Sequence, residues 1–434
     1  MATFASVPSE SLKVRPALDA DVLVRSILFI AVFLAVWVSF HPFPSLAEPL
    51  EVTEAGDHVN QVGYSVLFLL LAAWSLLHEP KRLMLVLRPI LIATLLWCAL
   101  SVVTSWEPSL SARRFASTLV TIGIASMVLL LPRNARHFSD LMAATVLIVL
   151  AACYLGVLLA PSLSIHQATD FIEPELAGDW RGVFGHKNGA SATMVLFVFI
   201  GLFIARMRSV TLGAVIAALA SIFLFFTHSK TSIAVLPLVL IVSVIIARVQ
   251  RPTVGMALAL LVVVALSVLS IGTLYFAPIR TLVDLLIADP SFTGRTEIWN
   301  FALDHVAQRP ITGYGFATFW GTEQVVYGMG GDLVWANAAG NAHNGYVDLA
   351  LTIGIPGAIL ATLWLVVLPL VDYYRSPHEP YSAPLKMLFL RVGLFMTYAS
   401  CFESRFFEIS GAWLFLVAAT FGLRFLSLTR LARR

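Results

Sequence analysis

Charged residues are scarce in this sequence, and their scarcity excludes a water-soluble globule. Asp, Glu, Lys and Arg make up 12% of the 434 residues, whereas soluble domains carry about 25%. Hydrophobic residues reach 59%, so too little polar surface is available to cover a soluble fold. A lipid bilayer is the solvent that suits this composition, and we predict an integral membrane protein.

Several sequence signatures are missing as well. The cysteines Cys98, Cys153 and Cys401 lie in or at the ends of apolar runs without a C-x-x-C pair, which indicates neither disulfides nor metal ligands. No Walker loop, Rossmann glycine pattern, H-E-x-x-H motif or external Asp-x-Asp pair is present, so we expect no cofactor and no metal. No basic run with interleaved aromatics suggests nucleic acid. Residues 1–20 lack the apolar core and cleavage site of a cleavable signal peptide.

Apolar runs long enough to cross a bilayer recur along the whole chain. They predict an all-α fold: one polytopic membrane helix bundle over residues 1–434, with about twelve transmembrane helices. The predicted runs are 23–40, 61–77, 87–104, 116–132, 140–160, 190–205, 210–227, 231–247, 254–276, 345–371, 386–401 and 411–427.

The distribution of basic residues predicts the orientation of the bundle. Most of the 28 Lys and Arg residues fall at alternate ends of the runs, beginning with Lys13, Arg15 and Arg25. Because cytoplasmic loops are enriched in Lys and Arg, both termini are predicted to be cytoplasmic. The largest loop on the opposite, external side spans residues 277–344.

This large external loop contains a helical pattern of its own. Apolar residues at i, i+3, i+4 and i+8 between Ile298 and Val306 predict an amphipathic helix over residues 295–308. Pro310 would end it. Such a helix would lie at the membrane surface or cover a cavity, and the pattern leaves both alternatives open.

External cations run against the charge bias, and beside apolar helices they are costly unless paired or bound to an anion. Arg181 and Arg295 have glycine neighbours, which suggests that the backbone approaches a ligand closely. Together with Lys230 they would suit a pyrophosphate, because guanidinium groups bind phosphate oxygens bidentately. His343, which precedes the tenth apolar run, is a candidate base for an attacking hydroxyl.

Structural interpretations of the same residues remain open. Lys230 would cap the preceding helix, and His343 would hydrogen-bond a loop carbonyl. Lys187 allows either interpretation, whereas Glu403 and Asp348 are expected to pair structurally with a cation. We interpret five further external arginines as snorkelling to lipid phosphate: Arg113, Arg114, Arg280, Arg309 and Arg405.

Four segments resemble the O-antigen ligase and Wzy-type polymerase superfamily of bacterial polysaccharide assembly. They read RGVFGHKN (181–188), TGRTEIW (293–299), PITGYG (310–315) and HNGYVDLALTIGIP (343–356). Their order, spacing and common side of the membrane carry the resemblance, which extends from Ser117 to the C-terminus. The last two motifs are most similar to those of ExoQ-type exopolysaccharide polymerases.

This resemblance implies a GT-C-like, inverting and metal-independent glycosyltransferase at the outer face of the bacterial plasma (inner) membrane. Its donor would be an oligosaccharide linked to undecaprenyl pyrophosphate. Arg181 and Arg295 would hold the pyrophosphate, and His343 would activate the acceptor hydroxyl. Lys230 departs from the arginine common in the family, so it keeps the charge but loses the guanidinium fork.

Three functions remain open at this point. The chain could polymerise lipid-linked repeat units, ligate finished glycan to lipid A-core or another acceptor, or transport lipid-linked glycan without reacting. A transporter would place its charges near mid-membrane, whereas here they lie at outer helix ends, which favours an enzyme. Membrane lipid, chain-length regulators and export proteins are the further partners implied.

Overall fold

The structure is a computed structural model that describes residues 20–47, 58–171, 173–286, 294–326, 339–377, 379 and 382–431. Regular structure in these ranges is helical, apart from one isolated antiparallel bridge between Ile165 and Trp180. The predicted all-α class is therefore confirmed.

The longer helices follow one another along the chain with short connections. In order they are α1 (Ala20–Val38), α2 (His58–His78), α3 (Pro89–Val103), α4 (Pro108–Val128), α5 (Ala135–Leu159), α6 (Lys187–Met207), α7 (Val210–Phe226), α8 (Lys230–Arg248), α9 (Pro252–Ser270), α10 (Ala277–Leu286), α11 (Arg295–Gln308), α12 (Gly345–Arg375), α13 (Ala383–Ala399) and α14 (Gly411–Leu431).

Each of the predicted apolar runs overlaps one of these helices, while α10 and α11 fall within residues 277–344, the loop predicted to be external. Eight helices in the described ranges have the length and hydropathy to cross a membrane, and α3 and α7 are apolar but shorter. A polytopic membrane helix bundle is confirmed. The number of about twelve crossings stays a prediction.

Local sequence explains where many helices begin. Proline occupies the first helical position of α3, α4 and α9, where its missing N–H is no loss. Side-chain oxygens of Asn134, Ser209 and Asn344 accept hydrogen bonds from amides in the first turns of α5, α7 and α12. These caps satisfy donors that would otherwise be unpaired.

Helix α6 lies at the centre of the bundle. It packs against α5, α7, α8, α13 and α14. Together with α14 it is the most buried of the candidate spans, which fits a helix that is apolar on nearly all faces. The loops at the starts of α6 and α14 are therefore attached to the most buried helices among the candidate spans.

Segments that the predicted orientation places on one side of the membrane meet in space. At one end of the bundle, Arg88 pairs with Asp372 at 2.6 Å. At the other end, the amide of Phe43 donates to the carbonyl of Val183 at 3.2 Å. The grouping of loops agrees with the charge bias, and the assignment of one group to the cytoplasm stays a prediction.

Helix α11 has the bounds that its apolar pattern predicts, from Arg295 to Gln308. Ile298, Ala302 and Val306 are buried in a small core that also contains Tyr314 and Leu351. The apolar face of α11 therefore rests on the protein itself. Residues 287–293 and 327–338 of the predicted 277–344 loop, Thr293 among them, lie outside the described residues.

An interruption in α12 lies where two of the sequence motifs, 310–315 and 343–356, contact each other. Gly354 has φ 70° and ψ 170° inside the helix, in the left-handed half of φ space that glycine tolerates. The turn before it receives the 310–315 segment, where the Tyr314 amide donates to the Leu351 carbonyl at 2.9 Å. A Cβ at Gly354 would lie 1.9 Å from the carbonyl oxygen of Ile311. The 310–315 segment, which follows α11 in the chain, is thereby fixed to α12.

Candidate functional site

Arg295 and His343 converge on one buried carboxylate, that of Glu403. Arg295 is the first residue of α11, and its Nη2 donates to Glu403 Oε1 at 2.9 Å. His343 immediately precedes the Asn344 cap of α12, and its Nδ1 lies 3.5 Å from Glu403 Oε2. Glu403 itself belongs to the turn between α13 and α14. Three segments far apart in sequence therefore meet at this point, which we call the Glu403 cluster (Arg295, His343 and Glu403).

The charge state of Glu403 follows from two opposing effects. Burial of its carboxyl, of which the side chain is 8% exposed, raises the pKa. The Arg295 guanidinium, the hydrogen bond from His343 and the nearby Arg405 act in the opposite direction and prevail, so the pKa of Glu403 lies well below its usual range. Glu403 is thus an anion that can orient both partners.

The position of His343 is tightly specified by backbone contacts. Its φ of 47° is unusual for a side-chain-bearing residue, and its amide donates to Asn341 Oδ1 at 2.8 Å. Two residues later, the Gly345 amide donates to the Ser400 carbonyl at 2.8 Å. If Nδ1–H faces Glu403, the other ring nitrogen, Nε2, is the one that can accept a proton.

Arg405 extends the Glu403 cluster towards the start of α6. Its Nη2 donates to the carbonyl of Asn188 at 2.9 Å, and its Nη1 lies 3.5 Å from Glu408. The residue is only 4% exposed, so the interpretation that it snorkels to lipid is wrong. Arg309 is also held by the protein, because its guanidinium lies 5.0 Å from the ring centroid of Tyr314.

Histidines and carboxylates surround the start of α6. His186 Nε2 lies 2.8 Å from Glu173, and this hydrogen bond lowers the pKa of Glu173, to which the charges of His166 and His343 also contribute. Lys187 Nζ pairs with Asp179 at 2.5 Å, which supports the structural interpretation of Lys187. The 181–188 motif and the Glu403 cluster are therefore electrostatic neighbours.

Arg181 is completely buried. Its Nη1 donates to the carbonyl of Phe184 at 3.1 Å and its Nη2 to that of Pro44 at 2.8 Å. Burial lowers the pKa of its guanidinium. In this arrangement Arg181 ties the loop before α6 to the segment after α1, and it shares no hydrogen bond with the Glu403 cluster among the described contacts.

Lys230 begins α8, immediately after Ser229, and is exposed. A cation at a helix N-terminus is opposed by the helix dipole, so capping of the preceding helix does not explain it by itself. The structure thus joins Arg295 to His343, buries Arg181 separately and leaves Lys230 at the surface. The described residues contain no group of three His, Cys, Asp or Glu arranged to hold a metal ion.

A large open cavity of about 1570 Å³ adjoins the Glu403 cluster. It lies between the facing ends of α1, α2, α4 and α6 and the turn before α14, and it exceeds the roughly 300–1,000 Å³ of most ligand pockets. Its cationic lining consists of Arg113, Arg114 and Arg405. Among the described residues, that lining includes none of the four predicted site residues, although Arg405 connects the two places.

The sequence did not predict that Glu403 would contact both Arg295 and His343. It also did not predict that three arginines would line the cavity. Glu403 was expected to pair with a cation, and it does so with Arg295. Asp348 instead accepts hydrogen bonds from Trp320, Ala342 and Ser404. An available signal was the closeness of Glu403 and Arg405 in a short turn predicted to be external, where basic residues are disfavoured.

Comparison with known proteins gives one family. Residues 215–362 match the Wzy_C family model, described as O-antigen ligase. The matched segment contains Lys230, Arg295 and His343, whereas Arg181 and Glu403 lie outside it. A search of the curated proteins gives no match. The resemblance to the O-antigen ligase and Wzy-type superfamily is thereby confirmed.

Proposed function

We propose that this multi-pass membrane protein, whose residues 215–362 carry the O-antigen ligase family domain, polymerises lipid-linked oligosaccharide repeat units at the external face of the bacterial plasma membrane. The donor is a glycan on undecaprenyl pyrophosphate, and the acceptor is a hydroxyl of the next lipid-linked unit. The observation that carries this proposal is the convergence of Arg295 and His343 on Glu403 beside a large open cavity.

The proposed reaction is a single displacement that inverts the anomeric centre. The acceptor oxygen forms a bond to the anomeric carbon while the bond from that carbon to the pyrophosphate oxygen breaks. His343 Nε2 accepts the hydroxyl proton. The pyrophosphate leaves with the bonding electron pair, and a guanidinium that faces it stabilises the developing charge.

The contacts of Arg295 are compatible with this task. Its bonds to Glu403 and to the carbonyl of Phe402 occupy two of its five N–H groups. The remaining donors are available to phosphate oxygens. Glu403 holds the guanidinium in a single orientation, which reduces the entropy that binding would otherwise cost. The same carboxylate orients His343, as the carboxylate does in hydrolase triads.

Pyrophosphate binding by Arg181 and Lys230 stays a prediction. The two carbonyl contacts of Arg181 support a role in positioning the loop before α6. Its Nε is buried and makes no hydrogen bond within the described part of the chain. A pyrophosphate contact would therefore require a local rearrangement of this loop when the donor binds.

The family description favours a second candidate, ligation of finished glycan to lipid A-core or another acceptor. Purified protein supplied with lipid-linked repeat units alone separates the candidates. A ladder of longer lipid-linked products identifies a polymerase, and product that forms only after lipid A-core is added identifies a ligase. Translocation of the unit in vesicles without a new glycosidic bond would reject both and identify a transporter.

A further inference from the structure

Three arginines and two glutamates line the large cavity, so positive charge is in slight excess there. Arg113 and Arg114 reach it from the second turn of α4, and Arg405 reaches it from the turn before α14. We propose that these arginines recognise a carboxylate-bearing sugar, such as a hexuronic acid, in the glycan that occupies the cavity. This inference rests on the proposed function and adds a substrate class to it: acidic repeat units.

Arg114 is held in place by the segment around Ala317, which is itself hydrogen-bonded to α4. Its Nη1 donates to the carbonyl of Ala317. The neighbouring Phe316 carbonyl accepts a hydrogen bond from Ser111 Oγ at 2.9 Å. One donor of the guanidinium is thus fixed, and the rest of its planar fork is presented from a defined position. A fork held in this way loses little entropy when it binds a carboxylate bidentately.

Arg405 offers a buried donor that no described residue satisfies. Its Nε has no hydrogen-bond partner among the described residues, although the residue is only 4% exposed. A buried donor without a partner destabilises the protein. Since this nitrogen is enclosed by protein, as Arg181 Nε is, an acceptor oxygen from a ligand in the cavity would reach it and relieve this cost only after a local rearrangement. The 3.5 Å contact with Glu408 involves a different nitrogen, Nη1.

The remainder of the lining suits sugars rather than a lipid phosphate. Hydroxyl and amide side chains predominate among its polar groups, and Tyr64 and Phe184 supply aromatic surface. The carboxylates in the lining are Glu107 and Glu323. Glu107 precedes the first residue of α4, where the helix dipole accommodates its negative charge. The proposal places the pyrophosphate at Arg295, outside this lining. The cavity arginines are therefore assigned to the glycan.

The test compares two probes that differ only at C6 of each sugar, which is a carboxylate in one and a hydroxymethyl group in the other. Tetragalacturonic acid and its carboxyl-reduced neutral counterpart are bound to the purified full-length protein in detergent at low salt. We expect the acidic tetramer to bind on the order of tenfold more tightly. The Arg113→Gln/Arg114→Gln double variant should lose that preference while its affinity for the neutral tetramer stays unchanged. Arg280→Gln, which removes an exposed external cation outside the cavity lining, should retain the preference.

Two controls separate weaker binding from misfolding. Arg113→Lys/Arg114→Lys should restore part of the preference, because charge returns without the fork. Each variant should melt within a few degrees of the wild type, since both side chains are exposed. If the double variant unfolds, the single Arg113→Gln substitution replaces it and should reduce the preference.

Equal affinity of the wild type for both tetramers would overturn the inference. So would inorganic pyrophosphate that displaces the acidic tetramer and loses affinity in the double variant, because the cavity would then be the pyrophosphate site. Transfer from lipid-linked units is measured separately. Transfer without preference for acidic units rejects only the assignment of an acidic sugar, whereas acid-selective binding without any transfer rejects the proposed enzyme.

Discussion

Glu403 is the residue on which the geometry of the candidate site depends. Its two carboxylate oxygens face different partners, Arg295 and His343, so neither side chain is positioned independently of the other. In the proposed reaction, a buried anion between these two groups would couple donor binding to proton transfer. The effects of substitutions at these three positions on binding, turnover and stability can therefore be separated only if all three are measured.

Replacement of Arg295 tests the proposed pyrophosphate contact. Arg295→Ala should abolish transfer and weaken donor binding, and Arg295→Lys should recover only part of both, because an ammonium group lacks the bidentate fork. Donor affinity and transfer rate are measured in detergent, with Arg280→Ala as the control for loss of an external cation. Full activity in either Arg295 variant, at normal membrane levels, would reduce Arg295 to a structural anchor.

Replacement of His343 separates chemistry from binding. If Nε2 accepts the acceptor proton, His343→Ala should slow single-turnover transfer by roughly 10²–10⁴-fold, while donor affinity persists through Arg295. A His343→Ala variant that loses donor affinity and thermal stability together would instead show that the histidine pins the loop.

The Glu403 carboxylate gives a pH signature in stability. Because its pKa is lowered in the folded protein, its contribution should be complete above the unfolded glutamate value of about 4.3 and be lost as pH falls through the lowered value. Glu403→Gln should destabilise the protein by about 3 kcal/mol at neutral pH, since it removes the counter-ion of the partly buried Arg295 guanidinium. The difference in melting temperature between wild type and variant should shrink below about pH 4. A difference independent of pH would contradict an ionised Glu403.

At the scale of elements, the interruption of α12 at Gly354 positions the 310–315 segment that follows α11. Gly354→Ala should weaken the docking of the 310–315 segment, because the new Cβ would collide with the Ile311 carbonyl and the backbone conformation would be strained. We expect a loss of about 1–3 kcal/mol together with reduced transfer. Thermal unfolding and single-turnover rates measure the two effects.

The matched control for this substitution is Gly393→Ala in α13. No atom lies within 4 Å of a Cβ built there, and alanine is the better helix former. Gly393→Ala should therefore leave stability unchanged or raise it slightly. Equal behaviour of the two variants would mean that the interruption at Gly354 contributes nothing to the fold.

At the scale of the whole molecule, the orientation of the bundle is open to a direct test. We predict that the site lies outside the cell and that both termini lie inside. An impermeant maleimide should label Asn300→Cys in intact cells, but Arg136→Cys only after permeabilisation. The native cysteines are all buried, which keeps background labelling low. The opposite pattern would invert the topology and place the proposed reaction on the wrong side of the membrane.

The sequence by itself determined which segments of the chain form helices. Hydropathy over about 20 residues reports whether a helix can cross a bilayer, and the spacing from Ile298 to Val306 reports the face of α11. Both signals are local, so every apolar run overlaps a helix, although α4 begins at Pro108, before its predicted run of 116–132. The charge bias likewise grouped the loops that meet at each end of the bundle.

Only the tertiary structure decided which side chains meet. Arg295 and Glu403 are separated by 108 positions in the chain, and no local pattern reports a contact over that distance. For the same reason Arg405 looked lipid-facing in sequence but is buried, and Arg181 looked ready for a ligand but donates to two backbone carbonyls. The contacts of a polar side chain in a helix bundle depend on how neighbouring helices pack, since burial makes every donor and acceptor seek a partner wherever the fold supplies one.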